Sequence, residues 1–269
     1  MTKLAIFTDL DGTLLDHKSY DYSPALPALQ RLEKLGFPVI FNSSKTTAEL
    51  IKFSQELDHQ HPVIAENGNV VAIPENYFEK YSDSDQYHEH IFGCDYEHII
   101  TTLTRLRNQY HLKFSGFNEL GIEGVMSHTG LPRDRALLAC QRHCSEPLLW
   151  LDNDNALGLF RKALQKEQLT LVKGGRFYHV MSTVDKGVSM LWLLMHFQNM
   201  DSSSNWNTVV LGDSENDRQM LEAADHPILI KNPAIKPPDF SHIPKLVSPR
   251  ESGPTGWNSA VNKIIDSYL

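Results

Sequence analysis

The chain is poor in cysteine: only Cys94, Cys140 and Cys144 occur in 269 residues. An odd, sparse set argues against a disulfide scaffold and for a reducing compartment. Cys140 and Cys144 flank His143, but two thiols and one imidazole lack the second half of a zinc signature. Long apolar runs are also missing. Nowhere do roughly 18 consecutive apolar residues accumulate, so no transmembrane helix is expected. The start, MTKLAIFTDLDG, reaches acidic residues before an apolar stretch of signal-peptide length has formed. Positive charge is in deficit, with 25 Lys plus Arg against 33 Asp plus Glu and a net charge of −8. Such a balance lacks the electrostatic footprint of a nucleic-acid or anionic-membrane binder, yet a few placed cations can still receive an anionic small molecule. No internal repeat or low-complexity tract interrupts the chain. A soluble, cytoplasmic protein is expected.

What is present is the material of an ordinary globular core, 41% hydrophobic and 22% charged. Leu4 to Thr8 form a short apolar run without alternation, the pattern of a strand buried on both faces. Ser23-Pro24 reads as a helix start, Leu26, Leu29, Leu32 and Leu35 follow at helical spacing, and Gly36 supplies the stop. Strands are predicted at 39–41 and 63–65, with a helix over 47–57 between them. The order returns late, with a helix over 186–199, a strand at 208–211, a helix over 215–224 and a strand at 228–230. Strand and helix alternating in this way predict an α/β fold with a Rossmann-like parallel sheet. Between the halves the hydrophobic runs shorten and His and Tyr become frequent, with helices predicted at 96–110 and 133–144 and a strand at 176–180. The expected organisation is a catalytic core of residues 1–84 and 183–269, carrying an inserted α+β domain at 85–182.

Two acidic motifs follow apolar strands directly. In Asp9-Leu10-Asp11-Gly12-Thr13, carboxylates at i and i+2 leave the strand end where open α/β sheets bind ligands, and Gly12 permits a sharp turn. A solvated acidic turn is the plainer reading of two Asp residues, but an apolar strand running straight into the pair is more specific. Gly212-Asp213-Ser214-Glu215-Asn216-Asp217 repeats that arrangement. Glu215 can simply complement a helix dipole, while Asp213 joins an oxygen-rich set of the kind that binds Mg²⁺. Ser43 ends the second strand and Lys186 opens the late helix. A hydroxyl and an ammonium at the same sheet edge can hold and neutralise a phosphoryl group.

Together these residues resemble the haloacid dehalogenase superfamily of phosphotransferases: Asp9 to Thr13 match its DxDGT motif, Ser43 its second motif, Lys186 its third, and Gly212 to Asp217 its GDxxND motif. The insertion between the second and third motifs resembles the family's C2-type cap. A narrower resemblance, to the mannosyl-3-phosphoglycerate phosphatase family, is carried by Phe41-Asn42-Ser43-Ser44-Lys45-Thr46, Ala65-Glu66-Asn67-Gly68, Leu131-Pro132-Arg133, Ser145-Glu146-Pro147 and the segment from Lys173 to Val180.

The resemblance implies that Asp9 attacks phosphorus and forms an aspartyl-phosphate, and that Asp11 protonates the leaving alkoxide and then activates water. It implies Mg²⁺ held by Asp9, the Asp11 carbonyl and Asp213, with Asp217 direct or through water, and Asn216 supporting the metal loop. Ser43 and Lys186 would position phosphoryl oxygens. Substrate contacts are expected from Lys45, Glu66, Asn67, Arg133, Lys173, Gly174, Gly175, Arg176 and His179, toward a small phosphorylated sugar or glycerate. Another sugar phosphatase, for sucrose phosphate or a hexose phosphate, and a phosphomannomutase-like transferase remain open. A phosphate-sensing protein would have no use for a nucleophile beside an acid.

Overall fold

A computed structural model describes residues 2–78, 86–174 and 177–269. In chain order the first unit runs β1 (Thr2–Thr8), α1 (Leu26–Lys34), β2 (Val39–Asn42), α2 (Thr47–Glu56), β3 (Val63–Ala65), β4 (Val70–Pro74) and β5 (Tyr87–Ile91). A second unit follows, with α3 (Tyr96–Tyr110), β6 (Phe114–Gly116), α4 (Phe117–Thr129), α5 (Arg133–Ala139), β7 (Ser145–Trp150), α6 (Asp154–Lys166), β8 (Leu169–Lys173) and β9 (Tyr178–Ser182). The chain then returns to the first unit through α7 (Lys186–Met200), β10 (Asn205–Gly212), α8 (Arg218–Glu222), β11 (His226–Leu229) and α9 (Gly253–Tyr268).

The first unit is a seven-stranded sheet in the order β11-β10-β1-β2-β3-β4-β5. Its members from β11 to β3 are parallel, and β4 and β5 extend it antiparallel. Alternation in β1 sends Leu4 and Ile6 to one face and Ala5 and Phe7 to the other, and both faces are covered. Ala28, Leu32, Leu50 and Trp257 pack on the first face, and Met190, Leu193, Phe197 and Met220 on the second. Fully burying one such aliphatic side chain contributes roughly 1.5–3 kcal/mol. This double cover is why the strand shows no polar alternation.

The inserted unit is a four-stranded antiparallel sheet, β6-β7-β9-β8, backed by α3 and α6. β5, at residues 87–91, pairs along its whole length with β4 of the first sheet. The helix expected over 133–144 ends at Ala139, and the one expected over 215–224 opens as a 3-10 turn at Glu215–Asp217. Among the described residues no helix is long and apolar enough to cross a membrane.

Candidate active site

The site lies beyond the ends of β1, β2 and β10. Asp9 continues the ladder by donating its backbone N–H to the Leu211 carbonyl at 2.9 Å, so its carboxylate is placed by the sheet itself. The loop then closes on itself, with Gly12 N–H on the Leu15 carbonyl and Leu15 N–H on the Leu10 carbonyl. Gly12 has φ +88°, and a Cβ there would lie 2.3 Å from Asn232 Nδ2 and 2.6 Å from Asp213 Oδ2. Only glycine satisfies both the dihedral and the close approach.

Lys186, wholly buried, is the hub. Its Nζ donates to Asp9 Oδ1 at 2.6 Å and to Asp217 Oδ1 at 2.7 Å. Burial pushes this ammonium's pKa down, but Asp217 and Asp9 outweigh it and hold the pKa above its usual value. Asp217 Oδ2 accepts the backbone N–H groups of Asp213 and Ser214 at 2.9 and 3.0 Å. One carboxylate thus ties the lysine to the β10 loop. Gly212 makes room for it, since a Cβ there would stand 2.5 Å from the Asp217 Cβ.

Asp9, Asp213 and Asp217 each offer an oxygen within 4.8 Å of the others, and all three are buried. One ammonium does not neutralise three carboxylates, and the pKa values register the excess. Burial, followed by the charges of Asp217 and Asp213, raises Asp9 well above the carboxylate range against the pull of Lys186. Burial and Asp217 push Asp213 up to about 7. A divalent cation fits this donor set in charge and in hard oxygen chemistry.

Asp11 stands apart from that cluster. Its Oδ2 pairs with Lys45 Nζ at 2.8 Å, while its buried Oδ1 has no hydrogen-bond partner among the described residues. Lys45 and Ser43 come from the loop before α2, where Thr46 and Glu49 form a reciprocal capping box. Ser43 is buried; its carbonyl accepts from Asn67 N–H and its hydroxyl from Lys45 N–H.

Glu66, Asn67 and Gly68 have φ of 50°, 57° and 97°, three consecutive left-handed residues where single ones are the norm. Hydrogen bonds to the carbonyls of Lys45 and Ser43 hold this turn. It presents Asn67, whose Oδ1 accepts from Asn216 at 3.0 Å and whose buried Nδ2 is unpartnered among the described residues. Asn216 thereby braces the acidic loop against the turn.

Glu66 points elsewhere. Its carboxylate accepts from His143 N–H, Cys144 N–H and the Ser145 hydroxyl at 2.8, 3.0 and 2.6 Å, and is fully buried. It is committed to the seam between the two units and not to a ligand.

The other expected contacts divide. Lys173, Asn67, Asn216 and Lys186 share a cleft of about 310 Å³ between the units. His179 is buried, and burial together with Arg142 and Lys186 lowers its pKa to about 3, leaving a neutral imidazole. Gly174 spends its N–H on the Phe177 carbonyl at 2.9 Å. Arg133 is exposed, pairs with Glu123, and does not line the cleft. Gly175 and Arg176 lie outside the described residues.

Three residues that sequence reasoning missed complete the site. Asn232, just past β11, donates to Asp213 Oδ2 at 2.6 Å. Its signal was available, as the next parallel strand end along the sheet. Trp257 of α9 donates to Thr8 Oγ1 at 2.9 Å, and that hydroxyl donates to the Asp9 carbonyl at 2.7 Å. Arg142, buried, donates to the Ser44 carbonyl and the Ser145 hydroxyl at 3.0 and 3.1 Å, docking the inserted unit on the Ser43 loop.

Residues 6–236 match the family model of the haloacid dehalogenase-like hydrolases. A protein of Methanococcoides burtonii named glucosyl-3-phosphoglycerate/mannosyl-3-phosphoglycerate phosphatase is 36% identical over 98% of this chain and 97% of its own. One of Persephonella marina with the same name is 34% identical over the same shares. Among solved structures, a haloacid dehalogenase-like hydrolase from B. subtilis superposes with TM-score 0.68 at 20% identity over 100% of both chains. The sucrose-phosphatase of Synechocystis does so with TM-score 0.61 at 14% identity, over 98% of this chain and 99% of the other. With the strand-end carboxylates, the buried lysine and the inserted unit all in place, the chain belongs to the haloacid dehalogenase-like hydrolases.

Proposed function

We propose that this protein is a Mg²⁺-dependent phosphatase that hydrolyses glucosyl- or mannosyl-3-phosphoglycerate through an aspartyl-phosphate on Asp9. One observation carries the chemistry: a buried carboxylate at a parallel strand end, 2.6 Å from a buried lysine, in a pocket with more negative charge than that lysine neutralises. The substrate rests on the two relatives of that name, whose likeness extends over the inserted unit as well as the first.

Asp9 and Asp213 would hold the metal with the Asp11 carbonyl, and Asp217, already accepting from Lys186 and two N–H groups, would serve it directly or through water. Bound there, Mg²⁺ supplies the charge that lets a carboxylate and a phosphate approach each other. Asp9 attacks phosphorus as the ester oxygen leaves with a proton from Asp11. Asp11 then takes a proton from the water that attacks the aspartyl-phosphate, releasing phosphate and restoring Asp9. Lys45 orients Asp11 through their ion pair. Lys186 and Ser43 hold phosphoryl oxygens, and the unpartnered Asn67 Nδ2 offers the cleft a donor.

Phosphate release over a panel of glucosyl- and mannosyl-3-phosphoglycerate, sucrose 6-phosphate, mannose 6-phosphate and 3-phosphoglycerate, with and without Mg²⁺, tests the reading. The glycosyl-3-phosphoglycerates should stand well above the rest in kcat/KM, and only with metal. Equal slow turnover of all five would remove the substrate, and metal-independent turnover would remove the mechanism.

A further inference from the structure

The proposed substrate is a double anion, with a carboxylate on the glycerate beside the phosphate. The cations at the phosphoryl end are already engaged, Lys186 by Asp9 and Asp217 and Lys45 by Asp11. Another group must therefore meet the carboxylate. Of the four side chains expected to do so, Arg133 pairs with Glu123 outside the cleft, His179 is buried and neutral, and Arg176 lies outside the described residues. Among the described residues Lys173 remains, and the structure adds Arg161 of α6, which the sequence analysis did not single out.

Both line the cleft that also holds Lys186, Asn67 and Asn216. Their charged ends flank one ring: the Arg161 guanidinium carbon lies 5.9 Å and Lys173 Nζ 5.8 Å from the centre of Tyr178. Arg161 Nη1 donates to the Leu171 carbonyl at 2.7 Å, which fixes the plane of the guanidinium and leaves its other N–H groups for a ligand. Among the described residues neither cation has a carboxylate partner. Two acids of the first unit line the same cleft and are engaged there, Glu215 by Arg218 at 2.6 Å and Asp185 by the N–H groups of Gly187 and Val188. A guanidinium held by the Leu171 carbonyl and an ammonium, neither with a carboxylate partner among the described residues, thus line the cleft that also holds Lys186.

We infer that Arg161 and Lys173, which both line the cleft and both approach the Tyr178 ring, bind the carboxylate of the leaving group and so select a phosphoglycerate over a neutral sugar phosphate. This rests on the function proposed above.

The test pairs enzyme and substrate changes. The variants Arg161→Gln, Lys173→Gln and the double are assayed on glycosyl-3-phosphoglycerate and on the analogue whose carboxylate is replaced by hydroxymethyl. A charge-assisted contact of this kind sets the scale, so the acid-over-alcohol ratio of kcat/KM should fall roughly 10- to 100-fold in the double variant. Inhibition by the phosphate-free product, glycosylglycerate, should weaken by a similar factor. The thermal midpoint serves as the fold control and should stay within about 2 °C of wild type, since both side chains are exposed. An unchanged ratio in variants of an enzyme that prefers the acid overturns the subsite alone. Wild-type turnover of other phosphomonoesters but of neither glycosyl compound overturns the proposed function, and the subsite with it.

Discussion

The two walls of the cleft carry charge in opposite ways. On the first unit, Lys186 is wholly buried and its ammonium sits 2.6 and 2.7 Å from two buried carboxylates, one of which also caps the loop that presents a third. On the inserted unit, Arg161 and Lys173 are exposed and have no carboxylate partner among the described residues. The first arrangement is interlocked, so that removing any member strands another in low dielectric. The second can change a side chain at little cost to folding. With chemistry held by the network and selectivity by replaceable cations, as proposed, a fold would keep one reaction while altering its substrates.

Breaking the first wall should have the largest effects. Asp9→Asn removes the proposed nucleophile while keeping the shape, and metal-dependent phosphate release should fall roughly 10⁴-fold or more, with no acid-stable phosphoprotein trapped on quenching. Turnover within tenfold of wild type would end the aspartyl-phosphate reading. Lys186→Met leaves three carboxylates buried with no ammonium. Beyond its loss of activity it should cost about 3–5 kcal/mol in urea unfolding without metal, and a wild-type midpoint would contradict the interlocked description.

Gly12→Ala should cost about 1–3 kcal/mol and also lower activity, because its Cβ strikes Asn232 and Asp213 at a positive φ. A change in stability alone would show that the 9–15 loop does not position Asp213. The pH dependence is subtler. The Asp213 carboxyl, ordinarily near 3.8, is raised to about 7 in the folded chain. Between those values the unfolded chain has lost this proton and the folded chain keeps it, so this group's contribution favours unfolding increasingly as pH rises, by up to about 1.4 kcal/mol per unit. In the presence of a chelator, Asp213→Asn should therefore gain stability relative to wild type from pH 4 to 7, as read from paired urea titrations. Parallel curves would place the excess charge elsewhere. Smallest of all is Arg133→Ala, an exposed pair outside the cleft, which should change stability by less than about 0.5 kcal/mol and kcat/KM by less than about twofold. A tenfold loss on the phosphoglycerate would bring Arg133 back into the second wall.

Much of the first wall was legible in the chain, and the reason is local. Asp9 and Asp11 lie within three residues of the end of β1, and Asp213 and Asp217 within five of the end of β10. An apolar strand running into carboxylates and glycine is visible in a short window. Asn232 and Trp257 share the pocket's interior but reach it from β11 and α9, through side chains of no distinctive type. Glu66 shows the converse: a carboxylate beside the site in sequence turns to the seam because three donors from residues 143–145 are there to receive it. In the first unit β5 escaped notice for a physical reason. Tyr87-His88-Glu89-His90-Ile91 is an exposed edge strand of the first sheet, with no face to bury and so no apolar pattern to read.

By itself, then, the sequence determined the parallel α/β core and the order of the four motifs, because each is written in hydrophobic runs and the few residues that follow them. Tertiary structure alone decided how the charges are shared: that Lys186 joins Asp9 to Asp217, that Glu66 serves the seam, and that Arg161 faces the cleft while Arg133 faces water. Those outcomes depend on which groups from distant segments arrive within about 3 Å of one another, and hydrogen bonds and ion pairs at that range are set by packing and not by spacing along the chain.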